Sequence, residues 1–360
     1  ITTTWQDGQL VVRQHDPYGR HLCWQQKFTV DAYYPDRMKT IPVNLQDSVK
    51  TINLPEQPLR LVPNADGSGY GLFLLDEQTV DTMTPQDDLK RFALAMNLYE
   101  NCRAHHLSAD RFATLMNKWL AEERNGMIGA QLVNYWGSAV ADMADNERHA
   151  QEELMWAQYR HHPIASVRQR LVRQLYASCT SAAVADSLYN IWKGQTDSLL
   201  SKNDYTQMAY RLALLKPTLW RTILNTQRNR LSNSDELRKF DFISRACTPD
   251  TSAQHSLFRS LLKAENRRIE PWTASLLSLL NDRTREPLNN RYLKPGLDAL
   301  QEVQQTGDIF FPGNWLYALL YGHHSPEARS IVRTFIQAHP DYPEKLMNKL
   351  KENAYNLLSE

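Results

Sequence analysis

A chain of 360 residues is long enough for one large or two ordinary domains and for a substantial core. Its 41 Lys and Arg balance 40 Asp and Glu, leaving a net charge of +1, so there is no global pull toward nucleic acid or an anionic membrane surface. No apolar run approaches the ~20 residues needed to span a bilayer. The four cysteines (Cys23, Cys102, Cys179 and Cys247) form no C-x-x-C pair, which argues against a structural zinc site.

The opening reads as short strands. Residues 8–13 and 22–30 are rich in β-branched and aromatic side chains, with Asp16-Pro-Tyr-Gly19 as a turn between them. Residues 40–45 and 48–54 continue the rhythm. Pro42 places its run at a sheet edge or a strand end, because proline donates no ladder hydrogen bond. The pivot of the chain is Pro63-Asn-Ala-Asp-Gly-Ser-Gly-Tyr-Gly-Leu-Phe73. Asp66-Gly67 and Ser68-Gly69 accept the positive φ of a tight turn, and residues 70–75 read as a last, apolar strand. A β-rich opening at Ile1, with neither Met nor an apolar leader, carries the expectation of a piece cut from something longer.

From Thr84 onward helix follows helix. Thr84 is the expected cap, with Pro85 in the first turn and Asp87 reaching back as in a capping box. Leu89, Phe92, Ala93 and Met96 mark an apolar face at helical spacing. Ser108 caps the next helix, and Ser201-Lys-Asn-Asp204 is a capping box. Thr248-Pro249 and Ser325-Pro326 each put a cap before a first-turn proline. Ala328, Ile331, Val332, Phe335 and Ile336 trace a clean amphipathic helix. Helix pairs recur without a fixed period. The expected fold is mainly α with a small β domain: an N-terminal antiparallel β-sandwich over residues 1–83, then an irregular HEAT-like α-solenoid, a helical bowl, over residues 84–360.

Self-contained catalytic motifs are absent from the sequence. No histidine is followed by glutamate, so there is no H-E-x-x-H. His105-His106, His161-His162 and His323-His324 are adjacent pairs whose side chains diverge on a helix, and they are expected at the surface or at helix ends. No G-x-S-x-G, P-loop or G-x-G-x-x-G occurs, and residues 64–69 lack the ligand pattern of a calcium loop. Two stretches rise above this background. Arg259, Lys263 and Arg267 recur every four residues, beside Glu265 and Glu270. On one helix they would form either a solvated face or a basic wall shaped for a carboxylate. Residues 305–315 form a loop broken by Gly307 and Pro312, with Phe310, Phe311 and Trp315 as anchors.

Read together, these stretches resemble the C-terminal half of zinc-dependent aminopeptidases of the aminopeptidase N type, bacterial branch. Trp5-Gln-Asp-Gly8, Gln26-Lys-Phe28 and Ile41-Pro-Val43 are similar to the family's small β-sandwich domain, and residues 63–71 to the segment that closes it. The family's usual Tyr-Arg in that segment stands here as Tyr70-Gly71, so no role of that arginine carries over. Leu98-Tyr-Glu-Asn101, Leu120-Ala-Glu-Glu-Arg-Asn125, Ser201-Lys-Asn-Asp-Tyr205, Asn266-Arg-Arg-Ile-Glu-Pro-Trp272 and Thr306-Gly-Asp-Ile-Phe-Phe-Pro312 resemble the family's helical bowl. The likeness covers nearly the whole chain.

The resemblance implies a four-domain parent whose N-terminal saddle and thermolysin-like catalytic domain precede this stretch. The zinc, its ligands, the general-base glutamate and the glutamate that binds the substrate's N-terminus would all lie there. No catalytic or metal residue and no cofactor is therefore assigned to this chain. Its implied partners are those domains and a peptide substrate, with no nucleic acid and no membrane span. In the family the bowl covers the active site, restricts access to short peptides and lines the internal chamber. Arg259, Arg267, Arg268 and Glu270 thereby become candidates for binding peptide beyond the cleaved bond. Cytoplasm and periplasm both stay open. Two other readings compete: a stand-alone α-solenoid scaffold that binds a protein partner, and nucleic-acid binding through Arg168-Gln-Arg170 and Arg228-Asn-Arg230. The charge balance disfavours the second.

Overall fold

The computed structural model describes residues 1–80, 85–141 and 143–358. It is mostly helical, with a small antiparallel β region at the N-terminus, as the sequence pattern leads one to expect. The chain divides into two compact units, Ile1–Gln174 and Leu175–Glu360.

In the first unit six strands form two three-stranded sheets. They are β1 (Thr2–Gln6), β2 (Gln9–Arg13), β3 (Gln26–Tyr33), β4 (Met38–Leu45), β5 (Val49–Asn53) and β6 (Arg60–Pro63), ordered β1-β2-β5 and β4-β3-β6, all antiparallel. Gln6 pairs with Gln9, so β1 and β2 are joined by the two residues Asp7 and Gly8, both at positive φ (47° and 77°). That is the turn a tight hairpin demands, and Asp-Gly is its sequence signature. Pro42 lies in β4, an edge strand, where its missing N–H costs nothing. The two sheets share one apolar core that includes Leu10, Val12, Phe28, Val30, Ile41, Val43 and Phe73.

The expected strand over residues 70–75 is not formed. Gly71 sits at φ 134°, which breaks the extended run, and Tyr70 is exposed. Phe73 still enters the core, edge-on to Phe28 at 4.9 Å between ring centroids. The segment is held by two backbone bonds to Ile1, whose amine donates to the Leu72 carbonyl (2.6 Å) and whose carbonyl accepts the Leu74 N–H (2.9 Å), and by a helix. Asp88–Arg103 is capped by Asp87, whose carboxylate accepts the Lys90 N–H at 2.9 Å. Thr84, the expected cap, lies outside the described residues. On that helix Asn97 donates to the Pro63 carbonyl (3.0 Å), and Asn101 donates to the Phe73 carbonyl (2.8 Å) while accepting the Leu75 N–H (3.2 Å). These bonds select the buried face: Ala93, Leu94, Asn97, Leu98 and Asn101 face inward. Leu89 and Phe92, expected inside, are exposed. Irregular backbone needs polar partners, and two asparagines one turn apart supply them.

Two buried charges strengthen this unit. Asp31, almost wholly buried on β3, receives Lys90 Nζ at 2.7 Å and Thr40 Oγ1 at 2.6 Å. Glu123 takes a bidentate grip from Arg91 (2.7 and 3.1 Å) and also accepts the Arg124 and Asn125 N–H groups. Burial raises the Glu123 pKa, but Arg91 and those two N–H groups outweigh it and hold the carboxyl below its ordinary range.

The second unit is helical throughout its ordered elements. Ser201 and Asp204 form the reciprocal capping box, and Ser325 caps Pro326–Ala338. In the latter helix Ala328, Val332 and Phe335 are buried, while Ile331 and Ile336 pack half-buried against the same core. The cap expected at Thr248 falls on Asp250 instead. Its carboxylate accepts the Ser252 and Ala253 N–H groups, and Thr248 Oγ1 receives the Asp250 N–H. Leu276, Leu280, Tyr292, Leu297, Trp315 and Leu319 belong to the unit's main core. Among the described residues no helix is long and apolar enough to cross a membrane.

Candidate functional site

The two stretches singled out in the sequence meet in the second unit. Arg259 lies near the end of the helix Thr251–Leu261, which stops before Lys263, and Ala264–Asn266 is a separate short turn. Arg259, Lys263 and Arg267 therefore do not share one helical face as expected. The chain bends between them. Arg267 is 3% exposed and is spent inside the fold. Its Nη1 donates to the Leu261 carbonyl (2.9 Å), its Nη2 to Thr306 Oγ1 (3.1 Å) and to the Glu302 carboxylate, and its guanidinium carbon lies 5.8 Å from the Trp315 ring centroid. A stacked, hydrogen-bonded arginine of this kind fastens the 266–272 stretch to the 305–315 loop.

Glu270 makes the second fastening. It opens the helix Glu270–Leu280, and its Oε1 accepts the Asp308 N–H at 2.9 Å. Asp308 in turn accepts the Phe310 and Phe311 N–H groups (2.7 and 2.8 Å), which fixes the turn that leads into the helix Phe311–Leu320. Phe311 and Trp315 are buried anchors as expected, but Phe310 is not. At 70% exposure it projects from the loop together with Ile309, whose carbonyl is held by Lys349 Nζ at 2.9 Å. The result is a braced loop presenting two apolar side chains; Arg268 and Ile269, which lie between the bracing residues Arg267 and Glu270 in sequence, are exposed as well. Of the four expected site residues, Arg267 and Glu270 brace the loop, while Arg259 and Arg268 are exposed, with no ion-pair partner among the described residues.

Sequence reasoning missed a second polar centre. The histidine pairs are expected at the surface or at helix ends; His162 does end the helix Asp145–His161, but both it and His323 are buried. His162 Nε2 donates to the Leu120 carbonyl (2.9 Å), and Nδ1 accepts the Ile164 N–H (3.1 Å). Burial lowers its pKa and keeps the ring neutral. Both ring nitrogens of His323 lie against amide oxygens, of Asn290 (2.9 Å) and Asn281 (3.0 Å), with Glu286 Oε1 at 3.7 Å. Glu286 also accepts the Ser325 N–H (3.0 Å) and meets His324 Nδ1 (2.6 Å). Nothing in the spacing of these residues reveals that they converge.

Burial works to raise the Glu286 pKa, but hydrogen bonds from His323, His324 and Ser325 prevail and hold the carboxyl far below its ordinary range. The unfolded chain therefore takes up the proton first. The stabilisation is complete above the ordinary glutamate pKa of about 4.3 and is lost as pH falls below it. Glu286→Gln is expected to cost about 2 kcal/mol or more at neutral pH. In urea melts the gap between the variant and the parent chain should narrow steadily from pH 5 downward, and a constant gap would refute this account.

The arginine pairs considered for nucleic acid are also engaged. Arg168 Nε donates to the Tyr159 carbonyl, Arg170 meets Asn134, Arg228 pairs with Asp241, and Arg230 donates to the Trp192 and Lys193 carbonyls. Among the described residues no three His, Cys, Asp or Glu side chains converge in a way that would hold a metal ion.

No family model matches this sequence, and no curated protein matches it. The fold does have counterparts, with 82 matching chains of solved structures. One is Legionella pneumophila aminopeptidase A, solved in complex with aspartic acid. It matches with a TM-score of 0.52 and 9% identity, over 99% of this chain and 48% of that one. This chain thus spans about half the length of that protein, and what the two share is an aminopeptidase-like fold.

Proposed function

We propose that this chain is a non-catalytic C-terminal portion of a zinc-dependent aminopeptidase, serving to cap the active site, restrict access and line the peptide chamber. The observation that carries the reading is the fold likeness, which takes in 99% of this chain yet only 48% of an aminopeptidase. The sequence supports it by lacking H-E-x-x-H while resembling the family's C-terminal segments in order. The contribution of this chain is binding. Arg259 and Arg268 offer charge for a peptide carboxylate, Ile309 and Phe310 offer apolar contact, and Arg267 and Glu270 act as positioning residues beneath them.

The test is to isolate the native gene product with an antibody against this chain and to assay it on peptides and on single-residue chromogenic amides. The expected product is much larger than 41.7 kDa and removes N-terminal residues. A product of 41.7 kDa without hydrolysis would overturn the reading. In the active product, Arg268→Ala and Arg259→Ala should raise KM for peptides by up to about tenfold, the loss of roughly one charged contact. The amides should change little. Equal effects on both substrates would remove the substrate-contact role and leave the parentage intact.

A further inference from the structure

We infer that a groove between three helices of the second unit is a docking site for an acidic segment of a partner protein. The helices are Trp220–Asn229, Ser234–Ser244 and Thr251–Leu261, and the groove they line encloses about 780 Å³. Leu224, Phe240 and Leu257 give it an apolar floor. Its charged lining is one-sided: Arg221, Arg228 and Arg245 line it with a single carboxylate, Asp241. Arg228 takes that carboxylate in a bidentate grip, at 2.7 and 2.9 Å. Among the described residues Arg221 and Arg245 have no acidic partner.

Both unpaired guanidiniums are nevertheless placed. Arg221 lies over the Trp220 ring (5.1 Å to its centroid) and Arg245 over the Phe242 ring (5.4 Å). Stacking on a ring fixes the plane of a guanidinium and leaves its N–H edges free for a carboxylate. An excess of two cations in one groove, in a chain whose net charge is +1, is a local feature that an anion would neutralise. A small anion would leave the apolar floor uncovered. A nucleic acid would need a longer track of cations for its phosphates. An acidic peptide with an apolar anchor satisfies wall and floor together.

The test measures fluorescence anisotropy of a labelled peptide that alternates Asp or Glu with Leu, titrated with the full chain. Saturable binding is expected, weakened at least about tenfold by Arg221→Glu or Arg245→Glu, and lost when the peptide's acids become Asn and Gln. Ala253→Trp fills the groove without changing charge and should weaken binding as well. It keeps the test decisive if a charge reversal fails to fold. Absence of saturable binding, or binding that ignores these substitutions, would overturn the proposal. So would displacement of the peptide by acetate or oligothymidylate at equal concentration.

Discussion

Replacing Arg211 by alanine should destabilise the second unit by about 3–5 kcal/mol, the cost of stranding a buried charge. Arg211 is 3% exposed and its partner Asp282 is 5% exposed, so neither can turn to water when the other is lost. The guanidinium donates to the Asp282 carboxylate, to the Cys179 carbonyl at 2.8 Å and to the Ser178 carbonyl at 3.0 Å. Asp282 also accepts the Thr284 N–H and hydroxyl, at 3.0 and 2.6 Å. Burial raises the Asp282 pKa, yet the charge of Arg211 and the bonds from Thr284 dominate and hold it below the ordinary range, so the carboxylate stays ionised. Alanine at 211 removes the counter-charge and leaves that carboxylate in a dry site. The double variant Arg211→Ala/Asp282→Asn should therefore lose less than the sum of the two single changes. Urea melts of all four proteins decide it. Additive losses, or a loss under about 1 kcal/mol for Arg211→Ala, would mean that water reaches the pair.

Local chemistry made much of the fold legible in the sequence. Ser108, Ser201 and Ser325 cap where their spacing says they should, because a cap depends on three or four neighbouring residues. Pro42 marks an edge strand for the same kind of reason. Most of what failed depends on distant partners. The buried face of Asp88–Arg103 includes Asn97 and Asn101 because a loop more than twenty residues away needs donors, and apolar spacing alone cannot show that. The strand expected over residues 70–75 fails for a local reason, the φ of 134° at Gly71, which the apolar alternation around it does not announce. Arg259, Lys263 and Arg267 fit a helical spacing that the chain abandons at Leu261, and Arg267 then finds Glu302 and Trp315. The Asp7-Gly8 hairpin carries a local signature that the reading of the opening strands passed over, whereas the gathering of His323, Glu286, Asn281 and Asn290 carries no local mark at all.

Gly322→Ala should be the sharpest test of that gathering. A Cβ at 322 would stand 1.8 Å from the Asn281 carbonyl oxygen, 2.6 Å from the Arg283 nitrogen and 2.8 Å from the Asp282 carbonyl carbon. All three are backbone atoms, so no side chain can swing aside, and the 281–283 segment must move off residue 322. That segment carries Asp282 to Arg211 and Asn281 to His323, so the displacement disturbs the ion pair and the histidine cluster together. The expected loss is about 3 kcal/mol or more, at the upper end of overpacking costs. Gly313 is the matched control. It lies within the helix Phe311–Leu320, and a Cβ there meets nothing within 4 Å. Gly313→Ala should stabilise the chain by about 0.5–1 kcal/mol, because it removes unfolded-state freedom without a clash. Thermal melts that move the two variants in opposite directions would support the packing argument. If Gly322→Ala melts with the parent chain, residues 281–283 are not pressed against the turn at 322, and the cluster around Glu286 must be held by its hydrogen bonds alone.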